Sequence, residues 1–160
     1  MTTFTYDISA LLTKIQTSAL FVARNIKQDR SADFSKLSIV DAETFLLDKI
    51  RTISSKIFAD IFSQYARDLT DPYLFDADNE GVSGDIVYST EFPTTNFDAN
   101  LLPSILQAGE DLIINYVVAE WLRISNYDYR NAEDIYKEDK KEMLGLVSRR
   151  YSYARKYKLF

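Results

Sequence analysis

The chain has 160 residues, 46% of them apolar, and a net charge of −5, which fits one globular domain able to bury a core without covalent staples. It contains neither Cys nor His, which excludes disulfides, thiolate nucleophiles, zinc sites, haem ligation through those residues and any triad built on an imidazole base. Only carboxylates, Lys, Tyr, Ser and Thr are left for catalysis, and no cofactor is expected.

The opening Met1-Thr-Thr-Phe-Thr-Tyr-Asp7 has no basic region and no apolar region, so no secretory signal is expected. No apolar run, Tyr116-Val-Val-Ala119 among them, approaches the length that a bilayer requires. Cytoplasmic assembly and no membrane contact follow as expectations.

The first helix is predicted over Ile8 to Ile26, where Leu11, Leu12, Ile15, Ala19, Val22 and Ile26 recur at helical spacing and Asp7 or Ser9 can cap. Lys27 to Asp33 is polar and aperiodic and reads as a surface loop. A second helix is predicted from about Val40 to Tyr65. It is capped from Ser38-Ile-Val-Asp41 and striped by Leu46, Ile50, Ile53, Ile57, Ile61 and Tyr65.

Gly and Pro first appear at Pro72, and all three prolines with Gly81 and Gly84 sit in the middle third, marking a non-helical insert at about 72–93. There Asp85-Ile-Val-Tyr-Ser-Thr-Glu-Phe92 has strand composition, and Tyr73 to Asp76 is its expected hairpin partner. A third helix is predicted from Leu101 to Ser125, with Asn100 as cap and Pro103 in the first turn. Ile105, Leu106, Leu112, Ile113, Tyr116, Val117, Trp121, Leu122 and Ile124 cover much of its circumference, as expected of a buried central helix. Asn126-Tyr-Asp128 breaks it. A fourth helix is predicted from Arg130 to Tyr151, with Ala132, Ile135, Tyr136, Met143, Leu144 and Val147 inward.

Charge is segregated along the chain. From Asp68 to Trp121 there are eleven acids and no Lys or Arg, whereas the last fifteen residues carry five bases and no acid. Asp76, Asp78, Glu80 and Asp85 form the predicted acidic face. Arg149, Arg150, Tyr151, Tyr153, Arg155, Lys156, Tyr157, Lys158 and Phe160 form a predicted interface in a basic, aromatic C-terminal arm at about 149–160. Such an arm can grip phosphates and stack on bases, can merely complement a helix dipole, or can dock on an acidic neighbour. The terminal Leu159 and Phe160 favour docking.

Asp76-Ala-Asp-Asn-Glu-Gly81 begins like a calcium-binding EF-hand loop, but the position that should supply a bidentate carboxylate is Val87, so a solvated acidic turn is expected. Carboxylate pairs can hydrolyse glycosides without His or Cys, as a small phage lysozyme would. The candidates Glu43, Glu91 and Glu110 have no partner at a persuasive spacing, and the adjacent Glu110 and Asp111 point apart on a helix. Gly81-Val-Ser-Gly84 lacks the Lys and the following helix of a phosphate loop.

One ordering of features spans most of the chain. Thr17-Ser-Ala19 lies near the end of a helix, Phe34-Ser-Lys-Leu-Ser-Ile-Val-Asp41 leads into a long helix, and a strand is followed by Glu91-Phe-Pro-Thr-Thr-Asn-Phe-Asp98. A helix with Ile114-Asn-Tyr-Val-Val-Ala-Glu-Trp-Leu122 and then Asn126 closes the series. The order resembles the head-tail connector (neck or ring-adaptor) proteins of phages and prophages of gut bacteria, including crAss-like phages. The resemblance implies a mainly α fold: a four-helix connector-like bundle with a protruding β-hairpin and an extended C-terminal arm. It also implies a non-enzymatic virion subunit in a twelve-fold homo-oligomeric ring, docked on the portal and other neck or tail proteins, through which DNA passes without specific binding. The alternatives are a carboxylate-dependent phage hydrolase and a DNA-associated protein acting through the basic tail.

Overall fold

The computed structural model describes residues 2–25, 42–63, 85–90, 99–125 and 127–149. These are mainly helical: α1 is Ile8–Asn25, α2 Glu43–Ser63, α3 Leu102–Ile124 and α4 Arg130–Arg149. Each lies within a few residues of the span that its apolar periodicity predicts.

The helix ends follow local chemistry. Asp7 caps α1, with the Ala10 N–H donating to Asp7 Oδ1 at 3.0 Å. The Ala42 carbonyl accepts the first bond of α2 from the Leu46 N–H at 2.9 Å, and Glu43 puts an acid in the first turn, where the helix dipole favours it. The proposed cap at Ser38 and the loop at 27–33 lie outside the described residues.

The entry to α3 differs from the expected one. Asn100 lies in a 3-10 turn, Ala99–Leu101, and the capping position falls to Leu101, which makes no side-chain cap bond. Pro103 sits in the first turn, where its missing N–H costs nothing. At the other end the Tyr127 N–H reaches back to the Leu122 carbonyl at 3.0 Å, closing α3 with the six-to-one bond of a Schellman motif. The Arg130 N–H donates to Asp128 Oδ1 at 3.2 Å and the Glu133 N–H to the Tyr129 carbonyl at 2.9 Å, so α4 starts at once.

Helices α1, α2 and α4 each make their most extensive interhelical contacts with α3. Its Ile105, Leu112, Ile113, Val117 and Leu122 are inaccessible, and Ile114, Val118 and Trp121 are buried on a further side, with small Ala108, Gly109 and Ala119 buried among them. A helix buried from several sides needs this apolar circumference. One contiguous core joins it to Leu11 and Ile15 of α1, Leu46 and Ile50 of α2, and Met143 and Val147 of α4. Ile135, expected to face inward on α4, is 41% exposed, and Leu106 and Ile124 of the apolar circumference expected for α3 are 37% and 43% exposed. The side chains of Ile57 and Ile61, and Tyr65 itself, lie outside the described set.

The strand expected over Asp85–Phe92 forms as β2, Asp85–Thr90, and Val87 lies within it. Its described partner is β1, Thr2–Asp7, antiparallel from Thr2↔Thr90 to Asp7↔Asp85. The pairing is therefore long-range. The expected local partner, Tyr73 to Asp76, lies outside the described residues. Thr3-Phe-Thr-Tyr6 alternates β-branched and aromatic residues, and Tyr6 is only 4% exposed, so β1 contributes to the core. Among the described residues, no helix is long and apolar enough to cross a membrane.

Candidate functional site

The α3–α4 pair carries the most organised polar surface. A short connection makes the two helices antiparallel, and their contacts follow in order away from the turn. Trp121 meets Tyr127 with ring centroids 5.6 Å apart, then Tyr116 meets Tyr136 at 5.2 Å and a 57° tilt. Next, Asn115 Nδ2 donates to Asp139 Oδ2 at 2.7 Å in a part-buried bond. Beyond it the helices open into a cleft of about 440 Å³, lined by Pro103, Ser104, Gln107, Ala108 and Asp111 of α3 and by Asp139, Glu142 and Leu146 of α4.

The local sequence explains the grouping. On α4 the core stripe runs through Ala132, Tyr136, Met143 and Val147. The next stripe, at the same helical period, is Ile135, Asp139, Glu142 and Leu146. The second stripe flanks the first and so lies at the edge of the α3 contact. Three carboxylates meet there. Gln107 Nε2 donates to Asp111 Oδ1 at 3.0 Å, so Asp111 and Asp139 are each held by a neutral amide.

The other acids placed between helices are held by cations. Glu110 pairs with Lys14 of α1. Glu120 accepts from Arg123 at 2.6 Å and lies 3.7 Å from Lys49 of α2, whose ammonium stands 5.4 Å from the centre of the Phe45 ring. Burial first, and the Glu120 carboxylate second, push the Tyr116 hydroxyl above its ordinary range. The hydrogen bond to Glu120 raises the Arg123 guanidinium further.

The residues nominated from sequence are distributed differently. Arg149 ends α4, while Arg150, Tyr151, Tyr153, Arg155, Lys156, Tyr157, Lys158 and Phe160 lie outside the described residues. Asp85 opens β2 opposite Asp7, and Asp76, Asp78 and Glu80 lie outside. Of the hydrolase candidates, Glu43 starts α2, Glu110 is tied to Lys14, and Glu91 lies outside. Among the described residues these are not gathered into one site. Nor is there a group of three or more acids there with the geometry to hold a metal.

The acidic cleft itself was not anticipated. Asp139 and Glu142 sit in Glu138-Asp-Lys-Lys-Glu142, whose three acids and two bases nearly cancel in a linear reading. Only the i, i+3 spacing, taken with Asp111 on a neighbouring helix, could have shown it.

No protein-family model, no curated protein and no solved structure matches the chain.

Proposed function

We propose that the chain is a non-enzymatic virion structural protein, one subunit of a head-to-tail connector or neck ring. In this reading the four helices form the subunit's bundle, the segment at about 72–93 is a protruding hairpin, and residues 149–160 are an extended arm. The ring is twelve-fold, docks on the portal and on neighbouring neck or tail proteins, and is assembled in the host cytoplasm. DNA passes through it without specific binding.

The observation that carries the reading is charge segregation. Eleven acids without a Lys or Arg, from Asp68 to Glu120, precede a C-terminal segment in which five bases alternate with aromatics. An acidic lining repels phosphates and lets a duplex slide. A basic aromatic arm supplies a contact that repeats around a ring, and repetition turns a modest interface into a firm joint. Electron microscopy and light scattering of the protein, alone and with the portal of the same particle, test this. Rings or portal-bound rings are expected. A strict monomer that ignores every neighbouring virion protein would refute it.

One observation favours a second reading, a carboxylate-dependent hydrolase: Asp111, Asp139 and Glu142 share one cleft. A general acid in such chemistry needs a carboxyl withdrawn from water. Here Asp111 and Glu142 are exposed, and Asp139 is half-buried and bonded to Asn115. The structural reading is therefore preferred. Clearing of cell-wall suspensions that disappears on changing Glu43, Glu91, Glu110 or Glu142 to Gln would reverse the choice.

A further inference from the structure

We infer that the α3–α4 cleft is the acceptor for the C-terminal segment, residues 150–160, of a second copy of this chain. The inference rests on the ring reading above and names the surface on which the arm seats.

The cleft suits such an occupant in charge. Asp111, Asp139 and Glu142 line it, no described lining residue is basic, and none of the ion pairs among the described residues involves these three acids. Between α1 and α3, and between α2 and α3, the corresponding acids Glu110 and Glu120 each hold a cation. Between α3 and α4 only neutral amides are supplied, which orient carboxylates without neutralising them. Residues 150–160 bring Arg150, Arg155, Lys156 and Lys158.

The cleft also suits it in shape and apolar character. Pro103, Ala108 and Leu146 line it, and Ile135, on the same α4 flank, is 41% exposed. These are seats for the Tyr153, Tyr157 and Phe160 rings, the residue types that tend to carry interface energy. The α4 wall from Asp139 to Leu146 is about 10 Å long at the helical rise. Eleven extended residues span up to about 36 Å, enough to cross a subunit boundary and still cover that wall.

The occupant comes from another copy because a same-chain seat would need a sharp reversal of the chain. Leu146 lies three residues before the end of α4, so seating in the same chain requires a reversal of direction directly after Arg149. Arg150-Tyr-Ser-Tyr-Ala-Arg-Lys-Tyr-Lys158 contains no Gly, Pro, Asn or Asp, and of the residues that favour tight reversals it has only Ser152, the weakest of them. An arm from one copy in the cleft of the next is a heterologous contact, the kind that closes into rings.

A charge-swap experiment on full-length chains tests this. One variant carries Asp111→Lys and Glu142→Lys, which leaves the Asn115–Asp139 bond intact; the other carries Arg155→Glu, Lys156→Glu and Lys158→Glu. Thermal unfolding first confirms that each variant is folded, with Glu142→Lys alone as the milder substitute. By sedimentation, each variant should self-associate on the order of a hundredfold more weakly than the parent. Their equimolar mixture, and a chain carrying both swaps, should regain association. Loss without recovery in the mixture would overturn the inference in favour of a same-chain seat. Normal assembly by the cleft variant would also overturn it while leaving the ring reading intact. A parent chain that stays monomeric at every concentration, with and without portal, would bring down both.

Discussion

Truncation of Leu112 tests whether α3 is the central helix. Leu112 is fully buried in the middle of α3, the helix with the most extensive contacts to the other three. Leu112→Ala removes three buried carbons and leaves a cavity that packed neighbours fill only partly, so the expected loss is about 3–4 kcal/mol. The net stability of a domain is about 5–15 kcal/mol, so this is a large share of it. At about 2–4 °C per kcal/mol for a chain of this size, the midpoint should fall by roughly 6–16 °C. Leu106→Ala is the internal control, because Leu106 is 37% exposed on the same helix. It should cost about 1 kcal/mol or less. Urea unfolding can be followed by circular dichroism and by the fluorescence of Trp121, which is the single tryptophan and 4% exposed. Coincident transitions license the free energies. If Leu112→Ala costs no more than Leu106→Ala, α3 is not the helix around which the others pack.

Three further outcomes follow from particular contacts. Asp7→Ala should lose about 1 kcal/mol in urea melts by removing the α1 cap; Asp7→Asn keeps a cap and removes one of two like charges paired in register with Asp85, so it should be neutral or stabilising. A methyl group added at Gly145 meets nothing within 4 Å, so Gly145→Ala should stabilise α4 by about 0.5–1 kcal/mol, and a loss of stability in the same melts would show that the site is tighter than it looks. The Tyr116 hydroxyl is raised above 10.0 by burial and then by Glu120, so the folded state keeps its proton longer than the unfolded chain does. Stability should therefore fall as pH rises past about 10, and Tyr116→Phe should lessen that fall relative to the parent in alkaline melts; identical curves would refute the assignment.

The parts of the fold legible in the sequence are those set by neighbours along the chain. Helix spans follow apolar periodicity, and Asp7 caps α1 through a bond only three residues long. The central place of α3 is visible because a helix buried on several sides must be apolar on several sides. The strand β1 was not legible. Six residues starting at Thr2 carry too little pattern alone, and the partner β2 begins about eighty positions later, so no local turn announces the pairing. A strand at Asp85–Thr90 was legible, but its described partner was not, because a hairpin is the pairing that a linear reading finds first.

The same contrast governs the candidate site. Summed along the chain, charge points to the acidic middle and the basic end, and the run Glu138–Glu142 nearly cancels. Folded, that run is divided among different faces of α4. Asp139 and Glu142 turn toward Asp111, and Lys140 and Lys141 are not among the residues that line the cleft. A helix can thus present a single-sign surface from a mixed-sign sequence, and linear charge counts miss it by construction. Where such a surface borders apolar residues such as exposed Ile135 and half-buried Leu146, its natural complement is a segment that mixes bases with aromatics at short spacing. The chain's own last eleven residues have that composition.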